Sequence, residues 1–265
     1  MSLFQRKSVY IITGASRGLG KSITINFAKK SNKQSVFILL SRDMEALTAV
    51  KSEVISISPK MKVVAQQFDQ GDLDENKIKN VFDTIFSENN LSKGDYDQAV
   101  IIHNAGSLGD NSKLTRDLKN VSELNTYFAI NLTGVILLNS SFLSFFTHEQ
   151  FPLKFVVNIS SLTAIEPYKS LSLYCTGKAA RDMFFKVIAL EEPSVRILNY
   201  APGPCETDMQ RECRENSSDP EVKQLFQAIF DEGKVLKCDT SIEKLVQLLE
   251  ADTFVSGAHI DFFDI

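Results

Sequence analysis

A tyrosine and a lysine stand four residues apart in the stretch YCTGK, at Tyr174 and Lys178. On a helix, this spacing places both side chains on one face. A free phenol with a pKa of about 10 is a poor acid–base catalyst at neutral pH, and a nearby cation stabilises its phenolate. The pair would bring the phenol pKa towards the working pH, where it donates a proton to a carbonyl oxygen. By itself, the spacing favours a ring packed on a lysine stem.

Two serines favour the catalytic interpretation. Ser160 and Ser161 stand at the end of an apolar, strand-like segment, and the helical run with Tyr174 and Lys178 follows them in the chain. Ligands of open α/β sheets bind at the carboxyl ends of the strands. We therefore expect the hydroxyls, the phenol and the ammonium group to converge there.

A glycine-rich turn follows the first strand-like segment. Gly14, Gly18 and Gly20 lie in the stretch TGASRGLGKS, directly before a helical run. Glycines let the backbone turn sharply and approach a pyrophosphate, which then lies on a helix N-terminus. A glycine triplet alone is weak evidence, but a strand before it and a helix after it are the context that a dinucleotide site requires.

Two arginines indicate which dinucleotide would bind. The second strand-like segment ends in Ser41 and Arg42, and Arg17 lies inside the glycine turn. NAD sites commonly place an acid at the end of this strand, whereas an arginine accommodates the 2′-phosphate of NADP. Two guanidinium groups would hold that phosphate with charge-assisted hydrogen bonds. Asp43 follows, and we interpret it as the N-cap of the next helix. The predicted cofactor is NADPH.

These motifs need a scaffold of alternating strands and helices. Seven apolar runs read as strands buried on both faces, and helical stretches lie between most of them. This order predicts an α/β fold with a Rossmann-type, doubly wound parallel sheet of about seven strands. Since no linker, repeat or low-complexity tract interrupts the pattern, we expect a single domain over 1–265. The predicted strands are 9–13, 36–41, 62–68, 99–105, 154–160, 195–201 and 257–263.

The segment 204–240 departs from this alternation. It is polar, has short helical patterns and directly follows the sixth predicted strand. Because ligands bind at strand carboxyl ends, we expect a small helical lid over the substrate. A plain surface insertion is the alternative.

Composition excludes several classes of protein. The 265 residues carry a net charge of −4, with Lys and Arg spread along the chain, which argues against a nucleic-acid partner. No apolar run approaches the roughly 20 residues that span a bilayer, and the N-terminus does not read as a signal peptide. Four cysteines without paired spacing and three scattered histidines indicate reduced thiols, no metal site and a cytoplasmic location.

Several motifs together resemble the short-chain dehydrogenase/reductase family. They are the glycine turn, HNAG at 103–106, AINLTG around Asn131, Ser161, YCTGK and PGP at 202–204. The resemblance implies that Tyr174 donates the proton and that Lys178 lowers its pKa and binds the nicotinamide ribose. Ser161, rather than Ser160, would orient the substrate carbonyl. Asn131 would hold a water in the proton relay. His103 departs from the family, which more often has Asn there.

The resemblance also implies a set of cofactor-binding positions. Asp69 would contact the adenine, and Asn104, Ala105 and Gly106 would line the cofactor. The nicotinamide side would be covered by the segment after the sixth strand. The complete set is Gly14, Ser16, Arg17, Gly18, Leu19, Gly20, Arg42, Asp69, Asn104, Ala105, Gly106, Tyr174, Lys178, Pro202, Gly203, Thr207 and Met209.

Longer stretches, such as SLGD at 107–110 and SGAHIDFFD at 256–264, are similar to the pterin-reducing members of that family. This similarity implies that Asp261 accepts hydrogen bonds from the amino-pyrimidine edge of a pterin, as a carboxylate can. Strand alternation would direct Asp261 and Phe263 to one side and leave Asp264 as a solvated terminal charge. Further substrate contacts would come, beside Ser161 and Tyr174, from Leu108, Cys175, Met209 and Gln210, for which ordinary packing is the alternative.

Two other functions remain open. A broad-specificity carbonyl reductase for quinones or diketones would use Tyr174, Ser161 and Lys178 without needing Asp261. A dinucleotide-binding sensor without turnover would have lost part of the catalytic set, and Asn131 and the other three residues are all present.

Two helical segments are apolar on more than one face. In 174–192, one stripe contains Met183, Val187 and Leu190, and a second contains Phe184 and Ile188; the segment 128–146 is similarly apolar. A helix apolar on two faces is buried on two sides. We expect a homodimer that uses these two helices, with burial inside one large monomer as the alternative.

Overall fold

A computed structural model describes residues 2–264 and contains seven strands in one sheet. The strand order is β3-β2-β1-β4-β5-β6-β7, and every neighbouring pair is parallel. The strands are β1 Ser8–Thr13, β2 Val36–Ser41, β3 Lys62–Gln67, β4 Gln98–His103, β5 Leu153–Ile159, β6 Val195–Ala201 and β7 His259–Asp261. The predicted Rossmann-type sheet is confirmed.

Helices cover both faces of this sheet. They are α1 Gly18–Lys30, α2 Met44–Ile57, α3 Glu75–Lys79, α4 Val81–Glu88, α5 Val121–Phe128, α6 Gly134–Phe145, α7 Ser172–Glu191, α8 Asp208–Asn216, α9 Pro220–Asp231 and α10 Cys238–Ala251. Apolar side chains of α1, α2 and α10 form a core on one face, and those of α4, α6 and α7 form a core on the other. Burial on both faces explains why β1 is apolar without alternation, since all six of its residues are buried.

The last strand is shorter than predicted. β7 ends at Asp261, and a 3₁₀ turn follows over Phe262–Asp264. Two contacts close this turn, from the Asp261 amide to Asp264 Oδ2 at 2.9 Å and from the Phe263 amide to Asp261 Oδ1 at 3.0 Å. Strand alternation therefore does not govern residues 261–264. The sequence-based prediction used alternation to assign sides to these residues, and that reason was wrong. Asp264 is nevertheless exposed, as predicted.

One helical run is more apolar than the sequence suggested. α5, a wider π-type turn over Ala129–Thr133 and α6 are continuous over Val121–Phe145. By length and composition, these 25 residues would be enough to cross a membrane, a test that core helices of soluble proteins also pass. The prediction that no apolar run approaches the length of a bilayer span was wrong. The helical run Val121–Phe145 reaches that length when its few polar residues are counted within it.

The segment after β6 folds into two helices. α8 and α9 pack against each other beyond the carboxyl end of the sheet. The ends of the segment are joined where Cys205 pairs with Leu236 as an isolated parallel bridge. The Glu206 amide donates to Leu236 O and the Leu236 amide donates to Pro204 O, both at 2.8 Å. This pairing fixes both ends of the two-helix segment to the sheet.

Candidate active site

A cavity of about 1140 Å³ lies at the carboxyl ends of the strands, between the sheet and the α8–α9 segment. Most predicted cofactor and substrate residues line it. They are Gly14, Ser16, Arg17, Gly18, Leu19, Arg42, Asp69, Asn104, Ala105, Gly106, Leu108, Ser161, Tyr174, Lys178, Pro202, Gly203, Thr207, Met209, Gln210 and Asp261. The fold thus brings together residues from positions 14 to 261.

The glycine turn has the geometry of a phosphate cradle. Gly14 and Gly18 have φ angles of +65° and +52°, which residues other than glycine rarely adopt. Gly20 lies behind them, where an added Cβ would approach Gly14 O to 2.2 Å. Within residues 2–264, no side chain caps the N-terminus of α1, and its first turn holds no acid. These free amides fit the pyrophosphate of a dinucleotide.

The two arginines of the predicted 2′-phosphate site differ. Arg42 is exposed beside the cavity, and its guanidinium has no hydrogen bond or ion pair among the described residues. Arg17 instead pairs with Asp208 of α8, with Nη1 2.5 Å from Oδ2. Asp43 caps α2 by accepting from the Ala46 amide at 3.0 Å, as interpreted from the sequence. Arg42 is therefore the arginine that remains available to a phosphate.

Asn104 joins the glycine turn to the end of β4. Its Nδ2 donates to Thr13 O at 2.9 Å and to Gly14 O at 3.2 Å. The Asn104 and Ala105 amides both donate to Thr13 Oγ1 at 3.0 Å. These bonds hold the backbone of residues 104–106 against the first turn, along one wall of the cavity.

Tyr174, Lys178 and Ser161 meet as the sequence predicted. Lys178 lies one helical turn after Tyr174 on α7, with Nζ 5.5 Å from the centroid of the Tyr174 ring. The same Nζ donates to Ile159 O at 2.6 Å, at the end of β5. Ser161 follows β5 and lies close enough to Tyr174 to lower the pKa of its phenol. A serine hydroxyl, a phenol and a buried ammonium group therefore share one corner of the cavity.

The pKa of Tyr174 lies above its ordinary value, because burial penalises the phenolate. The hydrogen bond from Ser161 and the charge of Arg181 lower it, but by less. Burial also holds the pKa of Lys178 well below its usual range. The sequence predicted a lowered pKa for Tyr174. The pKa is raised instead, because desolvation of the phenolate outweighs the effect of the neighbouring groups. A raised pKa keeps the phenol protonated, as a proton donor must be.

Asn131 lies in the π-type turn between α5 and α6 and does not line the cavity. Its Oδ1 accepts from the Ser107 amide at 2.8 Å, and its Nδ2 donates to Tyr127 O at 2.9 Å. Both ends of the side-chain amide are therefore engaged by the backbone. This geometry shows that the Asn131 side chain holds the backbone at Ser107, and its role in a proton relay stays a prediction.

The two serines after β5 have different partners. Ser160 Oγ donates to the buried Asp182 Oδ1 at 2.6 Å and is itself buried. Ser161 Oγ accepts from the Thr163 amide at 3.2 Å and is partly exposed to the cavity. The choice of Ser161 agrees with this geometry.

The substrate side of the cavity ends at Asp261. This residue pairs with Ala201 at the last register position of β6 and β7, and it is half-buried. Its charge contributes to raising the pKa of Tyr168, after burial and Glu166. Asp261 and Tyr168 both line the cavity.

Cys175 does not line the cavity and packs against a small apolar cluster of Leu108, Leu171 and Cys213. Sequence reasoning also missed several apolar wall residues. Those of α9 recur at helical spacing, a signal that could have found them. Among the missed apolar and aromatic residues are Tyr168, Leu171, Leu225, Phe226, Ile229 and Phe230.

Comparisons with known proteins agree with the fold. The family model described as short chain dehydrogenase matches residues 8–218. The chain belongs to the short-chain dehydrogenase family, which makes it an oxidoreductase. A solved structure described as the KRED1-Pglu enzyme superposes with a TM-score of 0.79 at 23% identity, covering 96% of this chain and 100% of that one.

Curated relatives are more similar in sequence. Sepiapterin reductase from Meriones unguiculatus is 43% identical and that from Rattus norvegicus 41%, each over 97% of both chains. Benzil reductase ((S)-benzoin forming) from Bacillus subtilis is 30% identical over 92% of this chain and 94% of its own.

Proposed function

We propose that this protein is a sepiapterin reductase, which uses NADPH to reduce side-chain carbonyls of pterins. Its reactions would be the conversion of 6-pyruvoyl-tetrahydropterin to tetrahydrobiopterin, the final step in making that cofactor, and of sepiapterin to dihydrobiopterin. The observation that carries the proposal is that Asp261 and Tyr174 line one cavity with the glycine turn. Relatives of that name at 41–43% identity support it.

NADPH, when bound, supplies the hydride. The α1 N-terminus and the turn from Gly14 to Gly18 would hold its pyrophosphate, and Arg42 its 2′-phosphate. Lys178 would hold the nicotinamide ribose from the corner that it shares with Tyr174. These assignments use only groups that line the cavity.

The chain's own residues provide the proton and the alignment. Tyr174 donates its phenolic proton to the carbonyl oxygen, while the Ser161 hydroxyl donates a hydrogen bond to the same oxygen. Asp261 accepts from two N–H groups of the pterin edge, which fixes the ring and places the side-chain ketone at Tyr174. Leu108, Met209 and Gln210 contribute to the walls around the ring.

The α8–α9 segment acts as the lid of a single domain. It is fixed at both ends by the Cys205–Leu236 bridge and lines the cavity between them. The ion pair between Arg17 and Asp208 links it to the glycine turn. Closing this segment over the substrate would exclude water from the carbonyl.

The protein assembles as a homodimer in the cytoplasm, away from membranes and nucleic acids. Met183, Val187 and Leu190 form an exposed apolar stripe on α7, at 60%, 42% and 82% exposure. The apolar run Val121–Phe145 packs on the same face of the sheet, and 39% of its most apolar window is buried. A second subunit on this face would cover both.

The test is NADPH oxidation with sepiapterin and with a simple diketone. Asp261→Asn should lose sepiapterin reduction about 10- to 100-fold, because a neutral amide cannot accept from both N–H groups, and should keep diketone reduction. Asp264→Asn removes the same charge three residues away while keeping an acceptor oxygen, and serves as the matched control. Equal losses with both substrates would contradict the anchoring role.

A broad-specificity carbonyl reductase is the second candidate, favoured by the 30% identity to a benzil reductase. This alternative function predicts that the protein reduces diketones efficiently, does not reduce sepiapterin and is unaffected by Asp261→Asn. The same assay separates the two functions. A non-catalytic NADP sensor would turn over neither substrate.

A further inference from the structure

A buried carboxylate lies behind the catalytic corner, on the helix that carries Tyr174 and Lys178. Asp182 follows Lys178 by four residues, so all three lie along one face of α7. Its side chain is 4% exposed. A buried carboxylate is stable only when its oxygens accept hydrogen bonds, and Asp182 receives three.

The three partners of Asp182 come from two different strands. Oδ1 accepts from Ser160 Oγ at 2.6 Å and from Asn158 Nδ2 at 3.0 Å, both at the end of β5. Oδ2 lies 2.5 Å from His259 Nδ1, on β7. Because the carboxylate accepts, Nδ1 is the nitrogen that carries the proton. Asp182 therefore joins α7 to β5 with one oxygen and to β7 with the other.

His259 stands two residues before Asp261, and residues two apart in a strand project from the same face. β7 is an edge strand with three register pairs to β6. So short a strand is weakly held by its ladder alone. The contact between His259 and Asp182 therefore fixes the strand of Asp261 relative to the helix of Tyr174.

Arg181 extends the same network to β4. This buried residue donates from Nε to Asn158 Oδ1 at 2.8 Å and from Nη1 to Ala105 O at 3.1 Å. Its neighbour on α7 is Asp182, so two successive residues hold the carboxyl ends of three strands. A buried charged network is often no more stabilising than apolar packing, whereas it defines geometry closely.

We infer that Asp182 and His259 are positioning residues that set the place of Asp261 relative to Tyr174. They act on pterin binding and touch neither the substrate nor the cofactor. This inference rests on the proposed function. A substrate without an amino-pyrimidine edge does not use Asp261, so its reduction should not depend on the pair.

The test compares two substitutions of His259 in steady-state assays with sepiapterin and a diketone. His259→Leu removes the donor and should raise the sepiapterin KM about 10-fold or more, with diketone kcat/KM within about 2-fold of wild type. His259→Asn keeps an N–H near the position of Nδ1 and omits Nε2, which has no partner among the described residues. It should restore the sepiapterin KM to within about 3-fold.

Two controls separate positioning from loss of stability. Gln98→Leu removes buried hydrogen bonds to Leu3 O and Ser8 Oγ at the amino end of the central strand β4, away from the cavity, and should lower the Tm without raising the sepiapterin KM. In an Asp261→Asn background, His259→Leu should add no further increase in KM, because the two residues act in one step. If His259→Leu does not fold, Asp182→Asn takes its place, because it removes one carboxylate oxygen of the pair, and it should raise the sepiapterin KM while sparing diketone reduction.

The outcomes are distinguishable. A wild type that reduces sepiapterin, with a His259→Leu KM equal to wild type, overturns the inference alone. Additive effects of His259→Leu and Asp261→Asn, or equal losses with both substrates, also overturn it. A wild type inert towards sepiapterin overturns the proposed function together with the inference.

Discussion

At the scale of single residues, burial controls the chemistry of the catalytic corner. It raises the pKa of Tyr174 and lowers that of Lys178, because each charged form loses its hydration. The hydroxyl of Ser161 and the charge of Arg181 work against this for the phenol. A phenol that stays protonated suits the proposed role of Tyr174, which would give up a proton in the reductive direction.

Replacing Tyr174 with Phe removes the proton donor and little else. We expect carbonyl reduction to fall by about 10²- to 10⁴-fold, the usual contribution of a general acid. NADPH affinity, measured by fluorescence titration, should change little because the ring remains. Tyr10→Phe, which removes a hydroxyl from the β1 core, is the matched control, and similar activity in both variants would contradict the role of Tyr174.

Arg42→Ser tests the choice of cofactor. Its guanidinium is unpaired among the described residues, so losing it should weaken NADPH binding about 10- to 100-fold and leave NADH binding nearly unchanged. Arg17→Ser should cost less, because Asp208 already compensates that charge. Binding titrations with both dinucleotides measure the difference. A larger loss in Arg17→Ser would reverse the assignment.

At the scale of secondary-structure elements, polar residues hold the ends of several strands in place. Asn104 ties β4 to β1, and Asp182 ties β5 and β7 to α7. His103, the last residue of β4, is fully buried next to Asn139 of α6 and the Phe185 ring. Burial and the charge of Arg181 lower its pKa to about 3.

The buried histidine should make the fold sensitive to acid. The pKa of His103 is about 3 in the folded chain and about 6.5 when unfolded, so the unfolded state binds the proton more tightly. Stability is therefore lost as pH falls from about 6.5 towards 3, by about 2 kcal/mol between pH 7.5 and 5. Chemical denaturation at both pH values should show a smaller loss in His103→Asn, the residue more usual in the family. Equal losses would contradict this origin.

At the scale of the whole molecule, the helices on one face of the sheet leave apolar side chains exposed to solvent. The exposed stripe of α7 lies on the face that also carries Val121–Phe145. The opposite face, covered by α1, α2 and α10, holds the exposed Ile55 at 38%. The asymmetry indicates where a second subunit would bind.

Val187→Glu combined with Leu190→Glu should convert the proposed dimer to a monomer, because burying two carboxylates in an apolar interface is unfavourable. Light scattering coupled to size-exclusion chromatography at micromolar concentration measures the mass. Ile55→Glu, an equally polar change on the opposite face, should leave the dimer intact. A wild-type protein that is monomeric under these conditions would refute the assembly.

The sequence by itself determined the sheet, the glycine turn and the pairing of Tyr174 with Lys178. Each depends on local patterns: apolar runs for buried strands, glycines where φ is positive, and a four-residue spacing on one helix. Ser161 and the wall residues implied by the family motifs also fell into one cavity, because parallel strands place their carboxyl ends together.

Only the tertiary structure decided which polar groups meet. It pairs Arg17 with Asp208, turns Asn131 towards the backbone, removes Cys175 from the cavity and raises the pKa of Tyr174. It also places Asp182 between two strand ends. Such contacts join residues far apart in the chain, and desolvation depends on everything packed around a group, so neither is encoded in local spacing.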